Sequence, residues 1–386
     1  MAKLIGNAPN QVPTNADLGS MAFEDRTNYI TKGASVHQPY RNIIINGDMS
    51  IAQRGTSVSG ITSSGSGTVY SVDRMALALS GAGTWTMSQE TDVPSGQGFA
   101  KSVKILCTAN QPSISSGGYL TFMQKFEGQN LQYLKYGTSN AENLTLSFWI
   151  KSSKTGNFVA ELANRDSSIY IGRIISINNA DTWEKKTVTY EGYTTANLDN
   201  DNDWSMDVQI WFGSGTAWNN LAYSGVWQSS NSRRASGLDL QLQDTTNANV
   251  YLTGLQLEAG TTASDFEFLP YDMNLDRCLR YYELVASGLD KYFVNGHYYN
   301  STYIRTVYTY RKIMRATPSL DIVSGTDYYR IVRNNSSDTF DDLTLTTGTE
   351  KAGLLINTTD VSGTGGQAGD IRTSNASAYI AFNAEL

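Results

Sequence analysis

The sequence predicts an all-β protein, and three observations carry that prediction. Long stretches alternate apolar and polar residues with a period of two, as a strand with one buried face does. Clusters of Gly, Asn, Asp and Ser interrupt those stretches at short spacing, as turns do. The composition is poor in charge, at 17%, and rich in Gly and Tyr, with 34 and 23 residues, which disfavours long surface helices. At 386 residues the chain has room for two or three domains, each with its own core.

Residues 1–40 differ from the rest. They are polar, show little periodicity and hold three of the seven prolines. Such a segment cannot bury enough apolar area to order itself. It predicts a flexible tail or an arm that orders against a partner, with Asp17 to Phe23 its most apolar run.

From Arg41 the texture changes. A β-branched run, Ile43-Ile44-Ile45, is broken by Asn46-Gly47, a strong turn signal. Short strands are predicted over Tyr70–Leu79, Gly83–Glu90, Phe99–Thr108 and Tyr119–Phe126. The central stretch follows. Leu144, Leu146, Phe148 and Ile150 share one parity; Thr145, Ser147, Trp149 and Lys151 share the other. Another strand is expected over Trp183–Tyr190. Over Trp204–Phe212 the alternation is clearest. Trp204, Met206, Val208, Ile210 and Phe212 face one way, and Ser205, Asp207, Gln209 and Trp211 the other. Gly213–Ser236 reads as a long polar loop, and Val250–Glu258 as the closing strand. Residues 41–270 should therefore form a sandwich of about eight or more strands.

A third region, 274–386, is predicted as a second β-sandwich. Its opening, LDRCLRYYELV, fits a short helix or a strand. Tyr-rich and then Thr-rich strands follow, and a Gly/Ser-rich turn precedes a terminal strand over Ala378–Leu386.

Charge and motifs restrict function. The net charge of −7 argues against a nucleic-acid partner and against an anionic membrane surface. No run approaches the roughly 20 apolar residues of a spanning helix, so membrane insertion is not expected. Cys107 and Cys278 fall in separate regions, and Cys107 lies on a strand's apolar parity, as a buried thiol does. The two histidines, His37 and His297, sit in the polar arm and in a Tyr-rich turn. No nucleophile-elbow, zinc-protease or phosphate-loop motif is present. No catalytic residue and no cofactor are expected. Asp199, Asp201 and Asp203 imitate the start of a calcium loop. Trp204 stands where its Gly should be, and Ile210 where its bidentate Glu should be. A solvated turn is the better reading, and no metal ligand is assigned.

Aromatic residues are the best ligand candidates. Trp149 and Trp211 occupy the polar parity of good strands. A flat ring there suits a sugar platform, or packs beneath a loop or a second subunit; packing is the favoured reading. Trp218, Tyr223 and Trp227 lie in a loop, where binding residues concentrate. In the third region, Tyr298 and Tyr299 compete with them.

Taken in order, several motifs resemble those of tail fibres, the receptor-binding proteins of tailed bacteriophages of marine and cyanobacterial type. They are VPTNADLGSMAFED, NIIINGDMSIAQRG, DVPSGQGFAKSVKI, NLTLSFWIKSSKTGNF, DTWEKKTVTYEG, VYLTGLQLEAG, CLRYYE and YIAFNAEL. The middle unit is also similar to the jelly roll of carbohydrate-binding modules, in which Asp48 of NGDM matches where some place a structural calcium. The resemblance implies a virion-attachment arm over 1–40, with contacts at Val12, Asp17, Leu18, Met21 and Phe23. It implies a jelly roll over 41–270 and a receptor-binding tip over 274–386. It further implies a homotrimer that joins tail proteins through the arm and adsorbs to a host surface glycan or outer-membrane receptor. The protein would be assembled in the host cytoplasm and reside in the virion tail. A capsule depolymerase and a purely structural tail component are the alternatives.

Overall fold

The strand Leu144–Ser152 shows how alternation builds the molecule. Leu144, Leu146, Phe148 and Ile150 are all buried in one core, while Trp149 and Lys151 stay half-buried on the opposite face. The computed structural model describes residues 40–62 and 68–386. Within them Asn42–Leu386 form one unit that is nearly all β. The expected arm contacts Val12, Asp17, Leu18, Met21 and Phe23 lie outside the described residues, as does His37.

Twelve strands build the first sandwich. They are β1 (Ser57–Ile61), β2 (Thr68–Tyr70), β3 (Ala76–Ser80), β4 (Thr84–Glu90), β5 (Ser102–Ala109), β6 (Tyr119–Glu127), β7 (Leu144–Ser152), β8 (Gly156–Asn164), β9 (Ile169–Ile177), β10 (Glu184–Tyr190), β11 (Trp204–Ser214) and β12 (Asn249–Ala259). One sheet has the order β1-β4-β5-β12-β7-β10, the other β2-β3-β6-β11-β8-β9. Most successive strands change sheet, which is jelly-roll connectivity. The inner faces interdigitate: Phe158 packs on Phe148 and Phe212, with centroids 6.1 and 5.8 Å apart. Buried Tyr190 donates to the Ala160 carbonyl at 3.0 Å, so its hydroxyl is not orphaned in the core.

The Ile43–Ile45 run forms no strand of its own. It lies along β12, where Ile43 N–H donates to Leu257 O at 2.9 Å. Asn46 then takes a positive φ of 62°, which Asn tolerates. Gly47 is required by proximity, since a Cβ there would sit 2.0 Å from the Leu255 carbonyl oxygen.

LDRCLRYYELV proves to be both helix and strand. A first helix, α1 (Thr216–Asn219), is one turn in the long loop; α2 (Tyr271–Leu279) leads into β13 (Tyr282–Ser287). The second sandwich pairs the three-stranded sheet β13-β22-β16 with the seven-stranded sheet β18-β17-β21-β14-β15-β20-β19. The added strands are β14 (Tyr292–Asn300), β15 (Tyr303–Thr309), β16 (Ser319–Ile322), β17 (Tyr329–Arg333), β18 (Ser336–Phe340), β19 (Thr344–Gly348), β20 (Ala352–Asn357), β21 (Ala368–Thr373) and β22 (Tyr379–Asn383). Its core is separate, with Tyr329 stacked on Phe340 beside Ile331, Ile371 and Phe382.

Buried polar groups fasten the two sandwiches together. Arg280 forks onto Glu127 at 2.7 and 2.6 Å, and the Tyr281 hydroxyl donates to the same carboxylate. Arg74, fully buried, pairs with Glu385 and lies 3.5 Å over the Tyr281 ring. Asn274 of α2 donates to Asp48 Oδ1 at 3.1 Å and to Ser50 Oγ at 3.0 Å. Asp48, the carboxylate of NGDM, is thus engaged in docking the helix.

No helix among the described residues is long and apolar enough to cross a membrane. Cys107 and Cys278 are both buried and free.

Candidate functional site: an aromatic cleft on one sheet's outer face

The outward parity of β11 builds the floor of a cleft. Asp207, Gln209 and Trp211 alternate with core residues, and the side chains of neighbouring strands stand beside them. Tyr119, Thr121, Met123 and Lys125 come from β6, Glu161 from β8 and Tyr170 from β9. The cleft encloses about 330 Å³, within the range of ligand-binding sites.

Its walls come from the loop after β11. The segment 213–236 folds back over the sheet rather than projecting from it. Gln228 and Tyr170 exchange backbone hydrogen bonds of 2.8 and 3.0 Å, and Ala235 N–H donates to Trp218 O at 2.9 Å. This path lays Trp218 against Trp211 and Tyr119, with centroids 5.5 and 5.8 Å apart. It also inserts Arg234 beneath the rings. The guanidinium lies 4.1 Å over Tyr170 and 5.1 Å over Trp211, and it forks onto Glu161 with contacts of 2.9 and 2.5 Å.

A second aromatic station stands at the far end. Trp204 has Lys125 at 4.3 Å and Arg165 at 4.5 Å over its ring. Its indole N–H donates to Asp207 Oδ2 at 2.8 Å, and Arg165 holds both oxygens of Asp207 at 2.5 and 3.0 Å. Asp207 and Trp211 are four residues apart on one strand, so the two stations lie about 13 Å apart along it.

Electrostatics lock these groups. Burial pushes the Glu161 carboxyl above its ordinary value, and the Arg234 charge opposes that push in part. Burial works against the Arg165 charge, but attraction and hydrogen bonding from Asp207 prevail and hold it above its usual value. Burial lowers the Lys125 ammonium. The two carboxylates beneath the cleft, Glu161 and Asp207, are therefore committed to arginines. By contrast, among the described residues the buried Trp211 Nε1 has no hydrogen-bond partner.

The expected ligand residues distribute unevenly. Trp211 and Trp218 come together in the cleft, Trp211 as its floor at 1% exposure and Trp218 half-buried as its wall. Tyr223 is exposed at the sheet edge, its hydroxyl on Gly172 O, and does not line the cleft. Trp227 donates to Glu191 O at 2.7 Å and packs on Tyr136 and Tyr193, also away from it. Tyr299 is exposed on the second sandwich beside Tyr303, with Arg305 4.2 Å over its ring. Tyr298 must be corrected. It is fully buried, its hydroxyl donating to Asp338 at 2.7 Å, so it is a core residue and presents no surface to a ligand.

Sequence reasoning missed Trp204, which alternation had placed in the core. A β-bulge between Trp204 and Met206 shifts the register against β6 and turns the ring outward, since one extra residue inverts parity. It also missed Arg165 and Arg234, whose partners only the fold reveals. Among the described residues no group of three His, Cys, Asp or Glu side chains converges as metal ligands do. Asp199, Asp201 and Asp203 lie in an exposed turn where Asp201 accepts from Asp203 N–H.

No family model and no curated protein match the chain. Solved structures do. The tailspike protein 4 enzymatically active domain of bacteriophage CBA120 matches at 13% identity and a TM-score of 0.30, over 58% of this chain and 22% of that one. TmCBM61 in complex with β-1,4-galactotriose matches at 8% identity and a TM-score of 0.28, over 57% of this chain and 99% of that one. The CBM22-1 xylan-binding domain of Paenibacillus barcinonensis Xyn10C matches at 10% identity and a TM-score of 0.26, over 57% and 96%. Likenesses at these scores carry no argument about what the chain binds, so the geometry of the cleft must.

Proposed function

We propose that the chain is a glycan-binding protein whose recognition surface is the cleft along β11, and that it serves as a phage tail fibre. The observation that carries the binding reading is the pairing of Trp204 and Trp218, half-buried at the two ends of one groove, with Gln209 and Trp211 along its floor. Flat rings stack on the apolar face of a pyranose, and polar groups between them fix its orientation. The carboxylates beneath the groove, Asp207 and Glu161, are fully buried and held by arginines, which supports binding rather than acid–base hydrolysis.

The tail-fibre part rests on the ordered motif series and the polar arm. Residues 1–40 would dock on the tail, three chains would assemble, and several weak contacts would add up at the host surface.

An array of host-surface oligosaccharides tests the binding reading. Trp204→Ala and Trp218→Ala should each weaken retained binding at least ~10-fold while leaving the melting temperature near that of the parent, since aromatic anchors dominate such contacts. Unchanged binding in both variants would remove the cleft from the account. Deletion of residues 2–30 should leave a folded protein that no longer joins virions; incorporation of the truncated chain would refute the arm.

A further inference from the structure

We infer that the first sandwich carries a second, independent sugar-binding groove on its other sheet, centred on Trp149. This goes beyond the cleft along β11, and the two can fail separately.

Trp149 sits on the outward face of β7, half-buried. Lys185 of β10 lies directly across from it on one side and Thr253 of β12 on the other. Among the described residues no other aromatic ring packs on it and its indole N–H has no hydrogen-bond partner. The ring floors a groove of about 320 Å³. Gln97 and Phe99, from the loop after β4, and Asp265, Phe266 and Phe268, from the segment after β12, meet to line it.

This lining is built in advance. Phe99, Phe266 and Phe268 pack as a triad with centroids 4.9 to 5.1 Å apart. Phe99 lies over the β12 bulge at Gly254, where φ is 64° and a Cβ would come within 2.5 Å of its ring. A groove fixed by packing costs little ordering on binding.

The chemistry fits a pyranose. One indole offers a single ring's worth of apolar floor. An amide, a hydroxyl, an ammonium and a carboxylate (Gln97, Ser147, Lys185 and Asp265) surround it with both donors and acceptors. A protein partner would need a far larger apolar patch than one groove of this size.

The test uses the full chain labelled with 5-fluorotryptophan, with each fluorine resonance assigned by a Trp→Phe variant. The probes are soluble gluco-, xylo-, galacto-, manno- and glucurono-oligosaccharides at millimolar concentration. The Trp149 resonance should shift saturably with at least one of them. It should still do so in a Trp204→Ala/Trp218→Ala background, and Lys185→Ala should weaken that response at least ~10-fold. Shifts at Trp204 and Trp218 alone would overturn the second site and leave the first standing. No shift at Trp149 with any probe overturns it too. A Trp149 shift that follows protein dilution instead of sugar would make the groove a self-association surface and overturn it as well.

Discussion

Trp211 and Trp149 occupy matching places: each lies on the outward parity of an interior strand in a six-stranded sheet. Yet Trp211 is 1% exposed and Trp149 is half-buried. The strands do not explain the difference. Over β11, the segment 213–236 returns across the sheet and brings Trp218 and Arg234 with it; over β7, the flanking loops stop at the rim and leave the ring open. Alternation therefore decides which residues leave the core, and loops decide whether they meet solvent. The covered face must then balance every charge it buries, whereas the open face leaves Asp92 partly to water.

That contrast is most sharply broken by removing a buried partner. Glu161→Ala would leave the Arg234 guanidinium without its carboxylate beneath the rings, where both side chains are at most 8% exposed. Losing one member of a buried pair costs about 3–5 kcal/mol. Chemical denaturation should show that loss, and Glu161→Gln should recover part of it by keeping an acceptor. A loss below about 1 kcal/mol would mean that water reaches the pair and that the covering loop is not closed.

Titration should separate the two faces by sign. Glu161 is raised above its ordinary 4.5, first by burial. The folded chain then holds that proton more tightly than the unfolded one. Ionisation of Glu161 thus costs stability as pH rises from 4.5 through the raised value. Asp92, on the open face, is lowered from 3.8; burial opposes this, but hydrogen bonds from Lys151 and Trp183 outweigh it. Its contribution is present above pH 3.8 and is lost as pH falls through the lowered value. Carboxyl ¹³C NMR should therefore place the Glu161 midpoint above 4.5 and the Asp92 midpoint below 3.8. Midpoints on the same side of their ordinary values would erase the distinction.

The same contrast explains what could be read in the sequence. The buried parity of β7 and of Met206 to Phe212 was legible, because a half-buried strand writes its pattern locally. Trp211 and Trp218 were legible as candidates for the same reason, by parity and by loop position. Trp204 was not, because a bulge is one residue long and leaves no periodic mark. Arg234 and Glu161 are 73 residues apart in sequence, and nothing local links them. Tyr298 and Tyr299 are adjacent, and composition cannot say which one faces the core; the pairing of β14 decides it. The helix–strand ambiguity after residue 274 had a similar source, since α2 and β13 abut within a stretch too short to show either period.

The smallest effect is expected where the open face carries its own ion pair. Asp92 accepts from Lys151 and from the Trp183 indole N–H, but its side chain is 46% exposed. Water screens such a pair, and exposed pairs contribute roughly 0–1 kcal/mol. Asp92→Ala should therefore change stability by no more than about 1 kcal/mol, and less in high salt. It should, however, free Lys151 and Trp183, which share the Tyr251 ring at 4.4 and 6.3 Å. A change in Trp183 fluorescence without a change in unfolding midpoint is the expected signature. A destabilisation matching that of Glu161→Ala would show that the second face is as closed as the first, and the comparison would fail.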